Sequence, residues 1–315
     1  MKWSFNMQVK DYKEGEHINA KLLVSSLVRG ITNSGAPYLS LTLQDSSKAI
    51  DAKLWDVKPE IEKLLTVGKV FEFSLEINMY RNSLQAKVLG VLPVDEASVN
   101  LNDFVFSSPI GKDVLRDEIA VAVNSIQNEN IARIVTAMLN VYGKDVYEYP
   151  AAAKIHHNFI GGLATHINGM IKLADALCAI YPELNHDYMV AGVILHDLGK
   201  IEEFTSAVVT EYSKEGKLLG HISIMDARLL EASKSLNLEN SEELLLLRHM
   251  ILSHHGQLEY GSPVRPMTLE AEMLTYIDNI DAKVNIVSKA LNEVKPGEFT
   301  SKLFAMENRS FYKTK

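Results

Sequence analysis

The chain has 315 residues, a formal net charge of −8, 47% hydrophobic and 23% charged residues, and a single cysteine, Cys178. That length favours two domains, and the composition excludes a disordered or fibrous chain. One cysteine excludes a disulfide framework and a thiolate-based zinc site. The N-terminal MKWSFNMQVKDYKEGE has no apolar signal core, and no stretch approaches the roughly 18 apolar residues of a membrane span, so a cytoplasmic chain with no membrane partner is expected.

A net negative charge argues against a broadly basic nucleic-acid binder, which would neutralise many phosphates with Lys and Arg. The charge is unevenly spread. Residues 1–100 hold 12 Lys plus Arg and 12 Asp plus Glu, so the whole deficit (20 − 28 = −8) lies in residues 101–315. An acid-rich pocket attracts cations, and bound cations let such a region accept a phosphodiester.

In chain order, INAKLLVSSLV, PYLSLTLQD, KAIDAKLW, KVFEFSLEI and SLQAKVLGVL are short runs with two-residue alternation. Turn residues separate them, among them Asn33, Ser34, Gly35, Pro37, Gly68 and Asn82. VKPEIEKLLTVG between the third and fourth runs reads as a short helix. Five strands with a helix after the third predict an OB-fold barrel. After Pro93 the alternation stops. Residues 1–95 are therefore read as an all-β OB-fold domain, and 96–150 as linker and leading helices. Residues 151–315 are read as an all-α domain. Helices are predicted over 111–126, 129–142, 162–180, 187–198, 221–236, 241–255 and 268–292, with Ser107 or Ser108 capping the first and Gly199 stopping the fourth.

Nine of the ten histidines fall between residues 156 and 255, where uniform scatter would place about three, so a site explains them better than chance. The strongest signal is VILHDLGK, in which a buried helix ends in adjacent His196 and Asp197. Neighbouring helix positions diverge by about 100°, so one cation held by both leaves room for ligands from other helices. His166 and Asp278, each on an otherwise apolar helix where an unpaired polar group is costly, are the candidates. Imidazole and carboxylate donors suit Mn²⁺, Fe²⁺, Co²⁺, Ni²⁺ or Zn²⁺. Lys200, beside the pair, is read as a phosphate contact, Asp281 as support for Asp278 one turn away, and His249 as structural or solvated.

The order His166, His196-Asp197, Asp278 resembles the HD superfamily of metal-dependent phosphohydrolases, which has a helical fold. His221 and His254-His255 resemble the extra histidines of HD enzymes that hold a second metal. On that resemblance His166, His196, Asp197, His221, His254 and Asp278 are metal ligands. Adjacent His254 and His255 cannot both face the same way, so His254 is preferred as the ligand, with His255 supporting it or facing substrate, while His157 either contacts phosphate or lies on the surface. A glutamate that some two-metal HD enzymes carry ahead of the first histidine is absent here, where Gly161-Gly162-Leu163 stand.

The phrases HHNFIGGLATHINGM, HDLGK, SHHGQLEYGSPVRPMTLEA and YIDNIDAK narrow the resemblance to the YhaM-type 3′→5′ exoribonucleases, which join an OB-fold to an HD domain in a chain of about this length. That resemblance implies hydrolysis of single-stranded RNA, with DNA as a second polymer, from the 3′ end to 5′-mononucleotides. It also implies one or two divalent ions, Mn²⁺ first with Co²⁺, Fe²⁺, Ni²⁺, Zn²⁺ and Mg²⁺ as alternatives. Asp197 and Lys200 are the expected catalytic residues. For the barrel, Trp55, Tyr38, Phe73, Tyr80 and Arg81 are available for base stacking, Tyr80 and Arg81 above the rest. An HD phosphodiesterase acting on a small nucleotide would not need the barrel, and a non-catalytic nucleic-acid-binding adaptor would be expected to have lost ligands. A homo-oligomer is allowed.

Overall fold

The structure, a computed structural model, describes residues 3–5, 7–32, 34–81, 83–152, 157–208 and 210–315. Asn33, Asn82 and His156 lie outside the described residues. The chain divides into two compact units, residues 1–107 and 108–315.

The first unit is the barrel. Its strands are β1 (Trp3–Phe5), β2 (His17–Ile31), β3 (Pro37–Gln44), β4 (Ala49–Trp55), β5 (Val70–Tyr80) and β6 (Ser83–Pro93), with helix α1 (Pro59–Leu64) between β4 and β5. The hydrogen-bonded order is β1-β2-β3-β4-β6-β5, and β5 returns to β2 to close the sheet. Among the described residues, only β4–β6 and the short β1–β2 pair are parallel. Five strands closed in the order one-two-three-five-four, with the helix after the third, are the OB-fold expected from the alternation. The added strand β1 is too short to carry a periodic signal.

Closure depends on β2. Its first half pairs with β5 and its second with β3, and a bulge between Val24 and Ser26 turns the corner. Leu22 and Val24 alternate into the enclosed core, and Leu23 between them is buried on the opposite face of the strand, outside that core. The enclosed core includes Ile18, Leu41, Phe73, Leu75 and Ile77. Phe73 is fully buried, which removes it from the residues available for stacking.

The second unit is helical: α2 (Lys112–Ser125), α3 (Glu129–Tyr142), α4 (Gly162–Ile180), α5 (His186–Leu195), α6 (Lys200–Glu203), α7 (Lys214–Ser235), α8 (Glu242–Ser253) and α9 (Leu269–Asn292). Side chains of Asn128, Asn185, Ser213, Ser241 and Thr268 accept hydrogen bonds from the first-turn N–H groups of five of these helices. The expected cap of α2 is different. Gly111 precedes that helix without a side-chain bond, while the Ser108 hydroxyl accepts from the Ile110 N–H and pairs with Thr165. Pro109 so close behind favours an extended approach at Ser108. Helix α5 is apolar all round, with Met189–Leu195 buried, and it packs against α3, α4, α8 and α9. Helices α2 and α3 share this core.

Gly199 does not stop α5 through a left-handed turn. Its φ is −60°, in the right-handed region, and α5 already ends at Leu195. The glycine is needed because a Cβ there would collide with the backbone carbonyl of His221. Helix α7 kinks at Gly220, where φ is 72°, so that the helix restarts at His221.

If Phe73 anchors the barrel, Phe73→Ala should destabilise this unit by about 3–5 kcal/mol. Chemical denaturation of the full chain should show a shifted midpoint for the β-rich transition, with Phe73→Leu much milder. An unshifted midpoint would remove the ring from the core.

Candidate metal centre

The HD pair stands at the end of the most deeply buried helix. His196 caps α5 and Asp197 follows in the turn to α6, and both are buried. Around them lie His166 in the second turn of α4, His221 at the kink of α7, and His254 and His255 just beyond α8. Asp278 and Asp281 lie one turn apart on α9.

The Asp197 carboxylate is the focus. Its Oδ2 lies 3.4 Å from His196 Nε2 and 3.9 Å from His166 Nε2. Its Oδ1 lies 3.5 Å from His221 Nε2 and 3.7 Å from His254 Nε2. Asp278 Oδ1 is 3.2 Å from His166 Nε2. Atoms sharing one cation at about 2.1 Å stand roughly 3.0–3.5 Å apart; three of these five distances lie in that range, and the 3.7 and 3.9 Å separations are slightly wider. His166, His196 and Asp197 form one group able to hold a cation, and His221, His254 and His255 form another.

The imidazole orientations follow one rule. Nδ1 of His196 faces the Val193 carbonyl at 2.8 Å, and Nδ1 of His254 faces the Ile251 carbonyl at 2.7 Å. Nδ1 of His255 faces the Tyr260 carbonyl at 2.7 Å, Nδ1 of His166 the Asp281 carboxylate at 2.6 Å, and Nδ1 of His221 the Glu203 carboxylate at 3.2 Å. An Nδ1–H donated outward fixes the tautomer in which Nε2 carries a lone pair. Among the described residues, Nε2 of His196, His221 and His254 and Oδ1 of Asp197 are buried without a hydrogen-bond partner. Four such atoms converging on one carboxylate would be costly unless a cation satisfied them.

Electrostatics agree with that reading. Burial alone would raise the Asp197 carboxyl, yet Lys200, His196 and His221 hold it well below the usual carboxylate range. Burial keeps His254 neutral by pushing it well below the usual imidazole value, and it lowers His255 as well. His166 is opposite: burial pushes it down, but hydrogen bonds to Asp278 and Asp281 raise it to about 9. Both carboxylates are held below their usual range against the effect of burial, Asp278 by His166 and Asp281 by His157 and His166. The two carboxylates flanking His166 thus favour its protonated form wherever no cation lies between them.

Other expected residues fall as follows. Lys200 is buried with Nζ 2.6 Å from Asp197 Oδ2, so its cation compensates the central carboxylate directly. His157 is buried, with Nε2 2.7 Å from Asp281 Oδ2. His249 is structural: its Nε2 accepts from the Met267 N–H at 2.8 Å. Asp281 binds His157 and His166 together, and Gly169 makes this possible, because a Cβ there would meet Asp281 Oδ1. Glu203 was not singled out in the sequence. Its signal was available in HDLGKIEE, one helical turn beyond Lys200, but an acid on a short helix has no distinctive spacing.

On the barrel, Tyr80 is 54% exposed at the β5–β6 hairpin, and the Arg81 guanidinium lies 5.3 Å from its ring centroid. Trp55, 44% exposed, meets Tyr38 across β3 and β4 with ring centroids 5.0 Å apart. The Lys53 ammonium lies over the Tyr38 ring. No helix among the described residues is long and apolar enough to cross a membrane.

Residues 163–283 match the family model described as HD domain. The chain is 45% identical over 303 residues to the 3′-5′ exoribonuclease YhaM of Geobacillus sp. (strain WCH70), covering 96% of this chain and 93% of that protein. It is 46% identical to the protein of the same name from Bacillus subtilis (strain 168), covering 96% of each. A solved structure, the second OB-fold domain of replication protein A from Methanococcus maripaludis, is similar at 17% identity and a TM-score of 0.25, over 30% of this chain and 98% of that one.

The His166 shift carries a pH signature. Its folded pKa of about 9 exceeds the ordinary 6.5, so its contribution to stability is complete below about pH 6.5 and is lost as the pH rises through about 9. The melting temperature of the chelated protein should fall across that window. With Mn²⁺ bound in place of the proton, the fall should vanish. A flat profile for the chelated protein would contradict the arrangement of His166 between two carboxylates.

Proposed function

We propose, from the premise that the chain belongs to the family of YhaM 3′-5′ exoribonucleases, that its histidine and aspartate cluster holds the divalent metal of an RNA-degrading hydrolase. The chain is a 3′-5′ exonuclease built from an OB-fold and an HD domain. The observation that carries the residue assignment is the shared orientation of five imidazoles, each Nδ1 turned outward and three Nε2 atoms buried without a partner around Asp197. Histidines kept for packing would have no reason to share that orientation.

We assign His166, His196, Asp197 and Asp278 to one ion and Asp197, His221, His254 and His255 to a second, with Asp197 between them. His255 moves from the substrate-facing role to this second group because its Nδ1 is held by the Tyr260 carbonyl and it clusters with His221 and His254. The donors are nitrogen and oxygen without sulfur, which suits Mn²⁺ among the candidate ions. Divalent ions bound there would lower the pKa of a water and neutralise charge on the scissile phosphate. Asp197 accepts the load from both sides. Lys200, already within hydrogen-bond distance of Asp197, balances its charge and lies where a phosphate oxygen would approach. Asp281 and Glu203 keep His166 and His221 in the required tautomer. His157 shares Asp281 and steadies it.

For the barrel we propose a sequence-tolerant track for a single strand. Tyr38, Trp55 and Tyr80 supply faces for bases, and Lys53 and Arg81 supply charge. Single-stranded DNA offers the same bases and phosphates, so it should bind as well. A duplex should not, because its paired bases present no free face. We further expect this work to take place in the cytoplasm.

With a 5′-labelled single-stranded RNA and Mn²⁺, the enzyme should leave a ladder of products shortened one nucleotide at a time, and Asp197→Ala should abolish it while keeping helical circular dichroism. Cuts within a circular strand, or a fully active Asp197→Ala with unchanged metal content, would overturn the assignment. Removing an orienting carboxylate is a finer test. Asp281→Asn should weaken Mn²⁺ binding by about 10–100-fold, read by calorimetric titration, and an unchanged affinity would show that Asp281 does not act through His166.

A further inference from the structure

The segment that follows His255 has a rigid backbone and exposed side chains. Gly256 and Gly261 take positive φ values of 76° and 97°, and Leu258–Tyr260 form a single tight turn between them. His255 anchors the near side twice: its Nδ1 meets the Tyr260 carbonyl at 2.7 Å, and its backbone N–H donates to the buried Ser262 hydroxyl at 3.1 Å. The far side is anchored by the bond from the Met267 N–H to His249. Three hydrogen bonds therefore fix the path of the loop. The Tyr260 ring shares in none of these bonds and is 71% exposed.

An exposed ring contributes little to folding, and His255 needs only the carbonyl of residue 260, which any amino acid supplies. Yet the position carries a large aromatic face. The Tyr260 carbonyl touches the His255 imidazole, so the phenol ring lies within roughly 10 Å of the histidine cluster. A nucleotide whose phosphate reached that cluster would carry its base over the same distance. Rigid loops that present side chains beside a site are where binding residues concentrate.

We infer that Tyr260 is a substrate-binding residue whose ring stacks on the base of the 3′-terminal nucleotide, holding the end of the strand while its phosphate is cleaved. The inference rests on the nuclease reading above. Stacking on a flat face tolerates any base, as an exonuclease that removes successive nucleotides of any sequence requires. It also places recognition of the strand end on the loop that orients His255, since the Tyr260 carbonyl accepts from the His255 Nδ1–H.

The test compares two RNA oligonucleotides, identical except that one carries an abasic 3′-terminal nucleotide, in the Mn²⁺-loaded full-length enzyme. Wild type should release the abasic terminus with a kcat/KM about ten-fold lower than the normal one, the loss expected for one stacked base. Tyr260→Ala should lose about ten-fold on the normal end and nothing further on the abasic end. Tyr260→Phe should behave as wild type on both. A Tyr260→Ala variant slowed equally on both ends would make the tyrosine a support for His255 and overturn the inference, and so would a variant as fast as wild type on both. If the wild-type enzyme released neither terminus, the nuclease reading itself would fail.

Discussion

A carboxylate buried among imidazoles and a lysine organises the whole helical unit. Asp197 is 2% exposed, and a charge so placed is strongly unfavourable unless it is paired and hydrogen-bonded. Lys200 provides the pairing from the next turn. What remains are the carboxylate Oδ1 and three partnerless Nε2 atoms, a set that neither protons nor water satisfies as well as a divalent ion. Metal binding and folding are thereby linked, since each helix around Asp197 must be in register for its donor to arrive.

Register is set by close approach. Gly199 lets the turn after the HD pair touch the backbone of His221, and Gly169 lets Asp281 of α9 press against α4. A methyl group at either position would displace a histidine or its orienting carboxylate by a fraction of the metal–ligand spacing, enough to lose a ligand. The kink at Gly220 serves the same end, turning His221 toward Asp197 while its N–H and Nδ1 both engage Glu203. Glu203 stands on the same short helix as Lys200, so one turn of chain balances the charge of Asp197 and aims the histidine opposite it.

Much of this was legible in the sequence, and the limits have physical causes. The alternation in residues 18–92 encoded the barrel because period two survives wherever one face is buried. It could not separate Phe73, which is core, from Tyr80, which is exposed, because aromatic residues suit both faces of a strand. The order of histidines and aspartates pointed to a set of candidate donors, since unpaired polar groups on apolar helices are costly, and the fold brings those residues together around Asp197. Their division into separate clusters was hidden, because adjacent His254 and His255 diverge along the chain and fall beside His221 only once the Tyr260 carbonyl fixes the second ring. Gly199 read as a helix stop, when its function is a contact with a residue 22 positions away. Ser108 read as a cap for a similar reason: its partner, Thr165, is distant in sequence.

The distribution of charge follows from the same chemistry. Residues 1–100 carry equal numbers of acids and bases, which would neither repel RNA strongly nor hold it by charge alone, so under the proposed function the grip of the barrel would depend on aromatic faces such as Trp55, Tyr38 and Tyr80. The acids are concentrated where cations are needed. Asp197, Asp278, Asp281 and Glu203 each contact at least one histidine, and this concentration would repel a phosphodiester if it stood bare. Divalent ions reverse the sign of the field at the place where the phosphate must arrive. An acidic chain could therefore act on a polyanion, since ions bound at the histidine and aspartate cluster would supply the attraction at the bond to be broken that its net charge does not.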